Sequence, residues 1–501
     1  MSEREAHTAG DDPALAPPEH ILDGAADAPE SAPESAQAPE QRKQEQQRTW
    51  RKLALRGGLW EVGGHGINYT LRFLSRTMLG ALLFPAAFGM MEVINGLQFG
   101  LIMLSDVGIQ QAVIQSKRGD DKVFLDTAFT LHVVRGFGLW LASCALALPV
   151  SWLTGEPELA YMIPVASLNI LILGFHSTSE FTLRRQMAPG RIVMMDAFVQ
   201  LVAVIVTVGW ATWWPSVWAL IGGGMVSAFL RMLMTHWLGR VVGYRNRFAW
   251  DPSVRKEIFE FGKWITGSSA VDFASMWGDR LLLVTFLGTA VSGVYATAVL
   301  IADTASGALN KVVHGVFYPL FSRVARDDRA ELRTVYYDMR LRVDALALGA
   351  TGALAMLGPW VIHFLFDERY SEAGWMLSLL CIRAAFQCVI APCETCLISL
   401  GHTRNGFYSN LARASWIVVM VPIGYLLDGA TGVVLAATFS GLPSILALWP
   451  KFRAEGLLRI DRELLSWVFF GAGALLGLGI EHVLPEATEL RQLVREVLLG
   501  R

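Results

Sequence analysis

A chain of 501 residues with 53% hydrophobic and only 17% charged side chains is not an ordinary soluble globular protein, which carries roughly 25% charge. The net charge of −2 hides two opposite parts: residues 1–41 hold ten acidic residues against Arg4 alone, a net of −9, which leaves +7 for residues 42–501. Five cysteines are too few for a disulfide framework.

In chain order, residues 1–50 are Ala/Pro/Glu-rich with little large to bury, and they are expected to be a disordered acidic cytoplasmic tail. No basic segment followed by an apolar run opens the chain, so a signal peptide is not expected. Hydrophobic blocks follow near 58–84, 87–115, 123–153, 159–183, 192–214, 216–238, 262–287, 290–320, 343–365, 373–400, 406–427, 431–449 and 464–484. Each is near or above the roughly 20 residues a helix needs to cross the hydrocarbon core. Tryptophans at block ends (Trp152, Trp213, Trp214, Trp264, Trp360) fit an interfacial aromatic belt. The expected fold class is an all-α polytopic membrane protein of about 12–13 spans. Its expected parts are a six-helix bundle over 51–240, a cytoplasmic inter-bundle loop with a short amphipathic helix over 241–262, and a second six-helix bundle over 263–452. An additional hydrophobic helix and amphipathic tail would occupy 453–501.

Alternate connections are basic: "SKRGDDK", "RRQMAPGR", "GRVVGYRNRF", "SRVARDDRAELR", "GHTRNG" and "PKFRAEGLLRIDRE". The others lack Lys and Arg, apart from Arg369 in "DERYSE". The positive-inside rule then puts the N-terminus and the basic loops in the cytoplasm. A thirteenth span leaves the side of the C-terminus open. The outward loops are too short to hold a catalytic domain, and no nucleophile arrangement stands in a workable context, so the chain is not expected to be an enzyme. The basic loops are explained by topology, so no nucleic-acid partner is expected. "CETC" at 393–396 could suggest a metal or redox pair, but within an apolar block small cysteines read as packing. No metal is expected. The Gly-rich runs "IGGGMVSAF" and "GAGALLGLG" follow no strand, and they read as close helix approaches rather than phosphate loops.

At an offset of 204 residues the chain matches itself: Arg76 falls on Arg280, Leu83 on Leu287, Ala86 on Ala290 and Gly89 on Gly293. Spans 1–2 thus recur as spans 7–8. Six spans per half with both halves starting inside gives parallel repeats related by an axis along the membrane normal.

Charged groups within spans cost roughly 2.5–3.5 kcal/mol each on insertion scales and normally face an interior. In span 1, Glu61, His65, Asn68, Arg72 and Arg76 fall within about 80° of one another on a helix. Span 7 carries Ser268, Asp272, Ser275 and Asp279 with Arg280 beside them. Span 2 aligns Glu92, Asn95, Asp106 and Gln110, and span 8 aligns Asp303, Ser306, Asn310 and His314. Interhelical hydrogen bonds and buried ion pairs suffice for single residues such as Glu394 or Arg413. Asp126 and Arg184, near span ends, read as snorkelling. The span 1 stripe differs: two arginines one turn apart leave a cationic surplus that suits an anion, and their bidentate forks suit phosphate oxygens.

"FGMMEVINGLQFGLIMLSDVGIQQAVIQ", "VTFLGTAVSGVYATA" and "FGKWITGSSAVDFASMWGDRLLL" resemble the polysaccharide-transport (Wzx-like) branch of the multidrug/oligosaccharidyl-lipid/polysaccharide flippase superfamily. The resemblance covers about residues 50–450. It implies two six-helix bundles related by a pseudo-two-fold axis, with spans 1, 2, 7 and 8 lining a central cationic cavity. It implies a cargo of undecaprenyl-pyrophosphate-linked oligosaccharide, moved from the cytoplasmic to the periplasmic leaflet of the bacterial inner membrane by alternating access. Arg72, Arg76 and Arg280 would then bind the pyrophosphate, with Arg135, Asn68 and His65 as further contacts. Asp272, Asp279, Glu92 and Asp106 would take a coupling proton or sodium ion, no other cofactor being implied. A polysaccharide polymerase and a chain-length regulator are the expected protein partners, with membrane lipids around the spans. The alternative is a multidrug or cation antiporter of the sister (MATE) branch.

Overall fold

The computed structural model describes residues 63–485 except 65, 107, 117, 186–189 and 242, with backbone alone at 115, 261–267, 305, 308 and 314. The acidic tail, Glu61, His65, the His314 side chain and the amphipathic C-terminal stretch lie outside the described residues. The remainder is helical: α1 over 66–82, then α2 (Pro85–Leu104), α3 (Ile109–Gln115), α4 (Lys122–Thr154), α5 (Leu159–Ala166), α6 (Leu168–Gly174), α7 (Ser179–Arg185), α8 (Gly190–Trp213) and α9 (Val217–Val241). There follow α10 (Pro252–Val312), a π-turn over Val313–Phe317, α11 (Tyr318–Asp327), α12 (Leu332–Leu365), α13 (Ala373–Ser399), α14 (Arg404–Thr438), α15 (Gly441–Ala454) and α16 (Ile460–Val483).

Nine helical stretches among the described residues are long and apolar enough to cross a membrane, and a pair bent by 57° between α6 and α7 makes a tenth. Two of the nine are hairpins. A straight α10 would be about 90 Å long, three times the hydrocarbon thickness. It breaks at Gly288, where φ 78° and ψ 177° suit a residue without Cβ. The Tyr295 hydroxyl donates to Asp279 at 2.6 Å, although the two stand 16 residues apart, about 24 Å along a straight helix. The two legs therefore lie side by side. α14 breaks likewise at Asp428 and Gly429, and Trp416 Nε1 donates to the Ala436 carbonyl at 2.9 Å across the fold. With α1, these legs account for all thirteen hydrophobic blocks.

The two kinds of loop segregate. At the neutral end, Arg369 donates to the Gly80 carbonyl at 3.3 Å, Tyr370 to Leu83 at 3.2 Å, and Thr289 to Glu156 at 2.7 Å. At the basic end, Arg185 donates to the Ser116 carbonyl at 2.6 Å and Ser116 to Glu257 at 2.6 Å. Residues 247–251 run as a strap along α4, with the backbone N–H of Arg247 on Asp126, of Ala249 on Thr130 and of Asp251 on Thr127. Asp126 is thus buried and bonded rather than snorkelling. Arg184 also turns inward, to Glu180 at 3.2 Å. The helix that starts at Pro252 is not a separate amphipathic piece; it runs unbroken to the Gly288 bend.

The internal repeat is visible in the packing. Gly89 leaves no room for a Cβ against the Thr289 carbonyl, and Gly293 none against the Pro85 carbonyl. Adding 204 to 85 and 89 gives 289 and 293, so each half presents to the other the contact it receives. That reciprocity marks a two-fold axis through the α2–α10 seam. The seam continues along α2, with Gly96 on Trp277 and Leu281, and Gly100 on Phe273.

The thirteenth helix, α16, docks on α12. Gly473 faces the Gly349 carbonyl, Gly352 the Phe470 carbonyl and Gly477 the Ala353 carbonyl, each too close for a side chain. Beside this seam Arg340 donates to Asp344 at 2.9 Å, to Glu463 at 2.5 Å and to the Tyr336 hydroxyl at 2.8 Å. Ser466 completes the cluster on Asp344 at 2.6 Å. The cysteines of "CETC" pack as free thiols in the neighbouring core with Phe317 and Leu397.

The basic loops are knit by Glu455. Lys451 and His402 lie 2.8 Å from one of its oxygens, and Arg329 pairs with the other. Lys451 foremost, with Arg329 and His402, holds its carboxyl down at about 2. A depressed carboxylate stabilises above its unfolded pKa and loses that contribution as pH falls through the folded one. The melting advantage of wild type over Glu455→Gln is therefore expected to be constant above pH ~4.5 and to close between there and pH ~2. A pH-independent difference would contradict this.

Candidate functional site

α1 brings Asn68, Arg72 and Arg76 to one face, as the 3–4 residue spacing requires. Arg72 is exposed, and neither it nor Arg76 has a carboxylate within ion-pair distance among the described residues. Both line a cavity of about 410 Å³ together with Glu92, Asn95, Gln200 and Ser227. Arg76 is held in place: Nη2 donates to Thr297 Oγ1 at 2.8 Å and to the Gly293 carbonyl at 3.2 Å, while its carbon centre lies 3.6 Å from the Phe88 ring centroid. Neutral partners on both sides fix the guanidinium without cancelling its charge.

A second hollow of about 250 Å³ shares Arg72, Gln200 and Ser227 with the first and adds Asn68, Asp196 and Arg231. Arg231 is bonded to Asp196 at 2.7 Å and to Glu180 at 3.1 Å, so this stretch is electrically balanced. The unpaired positive charge of the cavity system is therefore concentrated at Arg72 and Arg76.

The walls differ from the expected set. Spans 1 and 2 contribute as α1 and α2, but the rest comes from α8 and α9, with Leu300 alone from α10. The α2–α10 seam packs the first leg of α10 against α2, with Gly96 on Trp277 and Leu281 and Gly100 on Phe273. Arg280 is accordingly clamped between Glu92 and Asp303, 3.6 Å from each, and stands 4.7 Å over Trp277. Asp279 is buried against Arg383 at 2.8 Å and the Tyr295 hydroxyl, and Asp272 takes a 2.8 Å hydrogen bond from Asn410. Counter-charges and amides within the second half drew these carboxylates into helix contacts. Only Glu92 among the four acidic candidates lines the Arg72 cavity. Asp106 accepts from the Gly108 N–H at 3.0 Å at the start of α3. Arg135 donates to Ser105 Oγ at 3.0 Å and to the Ile102 carbonyl at 2.5 Å and faces a third hollow.

Sequence reading missed Asp196, Gln200, Ser227, Arg231 and Arg383. The first four are two i, i+4 polar pairs on α8 and α9, a spacing that puts each pair on one face, and charged residues within such spans mark interior cavities by default.

Two solved structures share this fold. A lipid II flippase, MurJ, in an inward closed conformation superposes with a TM-score of 0.67 at 13% identity, covering 88% of this chain and all of that one. An inward-facing multidrug resistance MATE family transporter of the MOP superfamily gives 0.61 at 15% identity, over 78% of this chain and 95% of that one. Both support the arrangement of two six-helix bundles about a pseudo-two-fold axis. In sequence, the lipopolysaccharide biosynthesis protein WzxC of Escherichia coli (strain K12) is 25% identical over 77% of this chain and 78% of its own. The succinoglycan biosynthesis transport protein ExoT of Rhizobium meliloti (strain 1021) is 22% identical over 81% of both. Residues 78–374 match the sequence model described as a polysaccharide biosynthesis protein, and this multi-pass membrane chain belongs to that polysaccharide biosynthesis family.

Proposed function

We propose that the chain moves an undecaprenyl-pyrophosphate-linked oligosaccharide from the cytoplasmic to the periplasmic leaflet of the inner membrane, for surface polysaccharide assembly. The observation that carries the reading is the pair Arg72 and Arg76: two guanidiniums one turn apart on a cavity wall, with no carboxylate partner among the described residues. Guanidinium forks match the oxygens of a diphosphate. The polyprenyl tail stays in lipid while the headgroup enters. Export of an anion from a negative-inside cell is electrically downhill by about 2.3 kcal/mol per charge per 100 mV. Rocking of the halves about the α2–α10 seam exposes the site in turn to each side. The basic loops face the cytoplasm, and the N-terminus with them. A polymerase and a chain-length regulator would receive the product outside.

The unpaired charges on this wall repel organic cations, which sets it apart from a multidrug antiporter. Deleting the gene is expected to stop surface polysaccharide export and to accumulate the lipid-linked repeat, with sensitivity to cationic drugs unchanged. Normal export with a broad rise in drug sensitivity would overturn the reading.

A further inference from the structure

The third hollow, about 320 Å³, lies within one half of the molecule, among α4, the α6–α7 break and α9. It neighbours the second hollow, since Arg231 lines both. The break at residues 175–178 is built in. Asn246, just before the strap, accepts from Ser177 Oγ at 2.6 Å and from the Thr178 N–H at 3.2 Å, and a ring nitrogen of His236 meets the Phe175 carbonyl at 2.8 Å. A fixed interruption of a spanning helix is tolerated where it lines a cavity, and such interruptions form substrate sites in transporters.

Two imidazoles face this hollow, His132 from α4 and His176 from the break. Nδ1 of His132 and Nε2 of His176 are buried and find no hydrogen-bond partner. A buried polar atom without a partner is destabilising, so two in one chamber point to a ligand. Two cations border them, and they are held differently. Arg231 is neutralised by Glu180 and Asp196, whereas Arg135 is held by neutral partners, Ser105 and the Ile102 carbonyl, and keeps its charge. Beside Arg135 the hollow offers neutral polar groups, the two imidazoles and Gln110, together with apolar residues that include Leu139 and Phe181. The volume falls in the roughly 300–1,000 Å³ range of small-molecule sites.

We propose that this chamber is a sugar subsite, binding a saccharide unit of the lipid-linked glycan while its pyrophosphate lies at Arg72 and Arg76. Hydroxyls meet the ring nitrogens, and the apolar face of the sugar ring lies on Phe181. The proposal rests on the reading of the substrate given above and adds where the glycan, rather than the lipid, is recognised.

The test uses the full-length protein in nanodiscs with two probes: undecaprenyl pyrophosphate without sugar, and the same lipid carrying the oligosaccharide repeat isolated from the producing strain. The pair His132→Phe and His176→Phe keeps ring volume and removes the nitrogens. It is expected to weaken the glycosylated probe by about tenfold and to leave the bare probe within about twofold. His176→Gln, which restores a donor and an acceptor, is expected to recover affinity, and Leu139→Phe, which narrows the chamber from its apolar side, to weaken the glycosylated probe alone. Equal weakening of both probes, or of neither, overturns the sugar subsite. So does unchanged affinity with a shifted pH profile of transport, which would assign the histidines to a proton. Arg72→Ala separately weakens both probes. If it weakens neither, the pyrophosphate assignment fails while the contrast between probes in the histidine variants still decides the sugar subsite.

Discussion

Arg72→Ala is expected to reduce surface polysaccharide export to background while the protein stays in the membrane at its normal level and melts as wild type does. Arg72 is exposed to the cavity and bonds no described carboxylate, so its loss leaves nothing unpaired in the fold. A bidentate charge-assisted contact to a phosphate contributes two hydrogen bonds of about 1.5–3 kcal/mol each, which together amount to a loss of two or more orders of magnitude in affinity. Arg72→Lys keeps the charge but not the fork and is expected to retain partial export. Arg76→Ala is expected to lose export and also to melt lower, because Arg76 additionally ties α1 to Gly293 and Thr297 and stacks on Phe88. The contrast between these neighbours separates a ligand-facing arginine from one that also holds the seam.

Arg340→Met is the second change with a large effect. It leaves Asp344 and Glu463 buried without their cation, 1% and 4% exposed, and removing one member of a buried ion pair costs about 3–5 kcal/mol. The variant is expected to reach the membrane poorly and to melt well below wild type. Replacing all three by Arg340→Met, Asp344→Leu and Glu463→Leu removes the stranded charges and is expected to recover most of the loss. Failure of the triple variant to recover would mean that the cluster does more than dock α16 on α12. Thermal melting of the detergent-purified variants measures both outcomes.

Much of this architecture is legible in the residues. Thirteen apolar blocks match thirteen helical legs, because a bilayer demands about 20 apolar residues per crossing whatever the neighbours are. The alternation of basic and neutral loops matches the way these loops bond among themselves. The Gly89–Gly293 correspondence, weak as a sequence match, becomes firm once the two glycines are seen to exchange contacts across the seam.

Periodicity fixes which face of a helix is polar but not what that face meets. The described members of the span 1 stripe, Asn68, Arg72 and Arg76, line hollows. The span 7 stripe, equally regular, meets Asn410, Arg383 and Tyr295, because its helix is walled in by α2 on one side and its own bundle on the other. The third hollow depends on a helix break that no proline within residues 168–185 announces. It is held by Asn246, which lies some 70 residues further along the chain. The α16 cluster was hidden for another reason. Arg340 and Glu463 stand just before the hydrophobic blocks that begin at 343 and 464 and so read as loop charges. The structure starts α12 at Leu332 and α16 at Ile460, which carries both inside.

The central claim is that Arg72 faces the pyrophosphate during transfer. The most direct measurement is translocation of undecaprenyl-pyrophosphate-linked oligosaccharide in proteoliposomes, comparing wild type with Arg72→Ala at equal reconstitution. The account predicts transfer by the wild type and none above protein-free vesicles by the variant. Equal rates from both would contradict it.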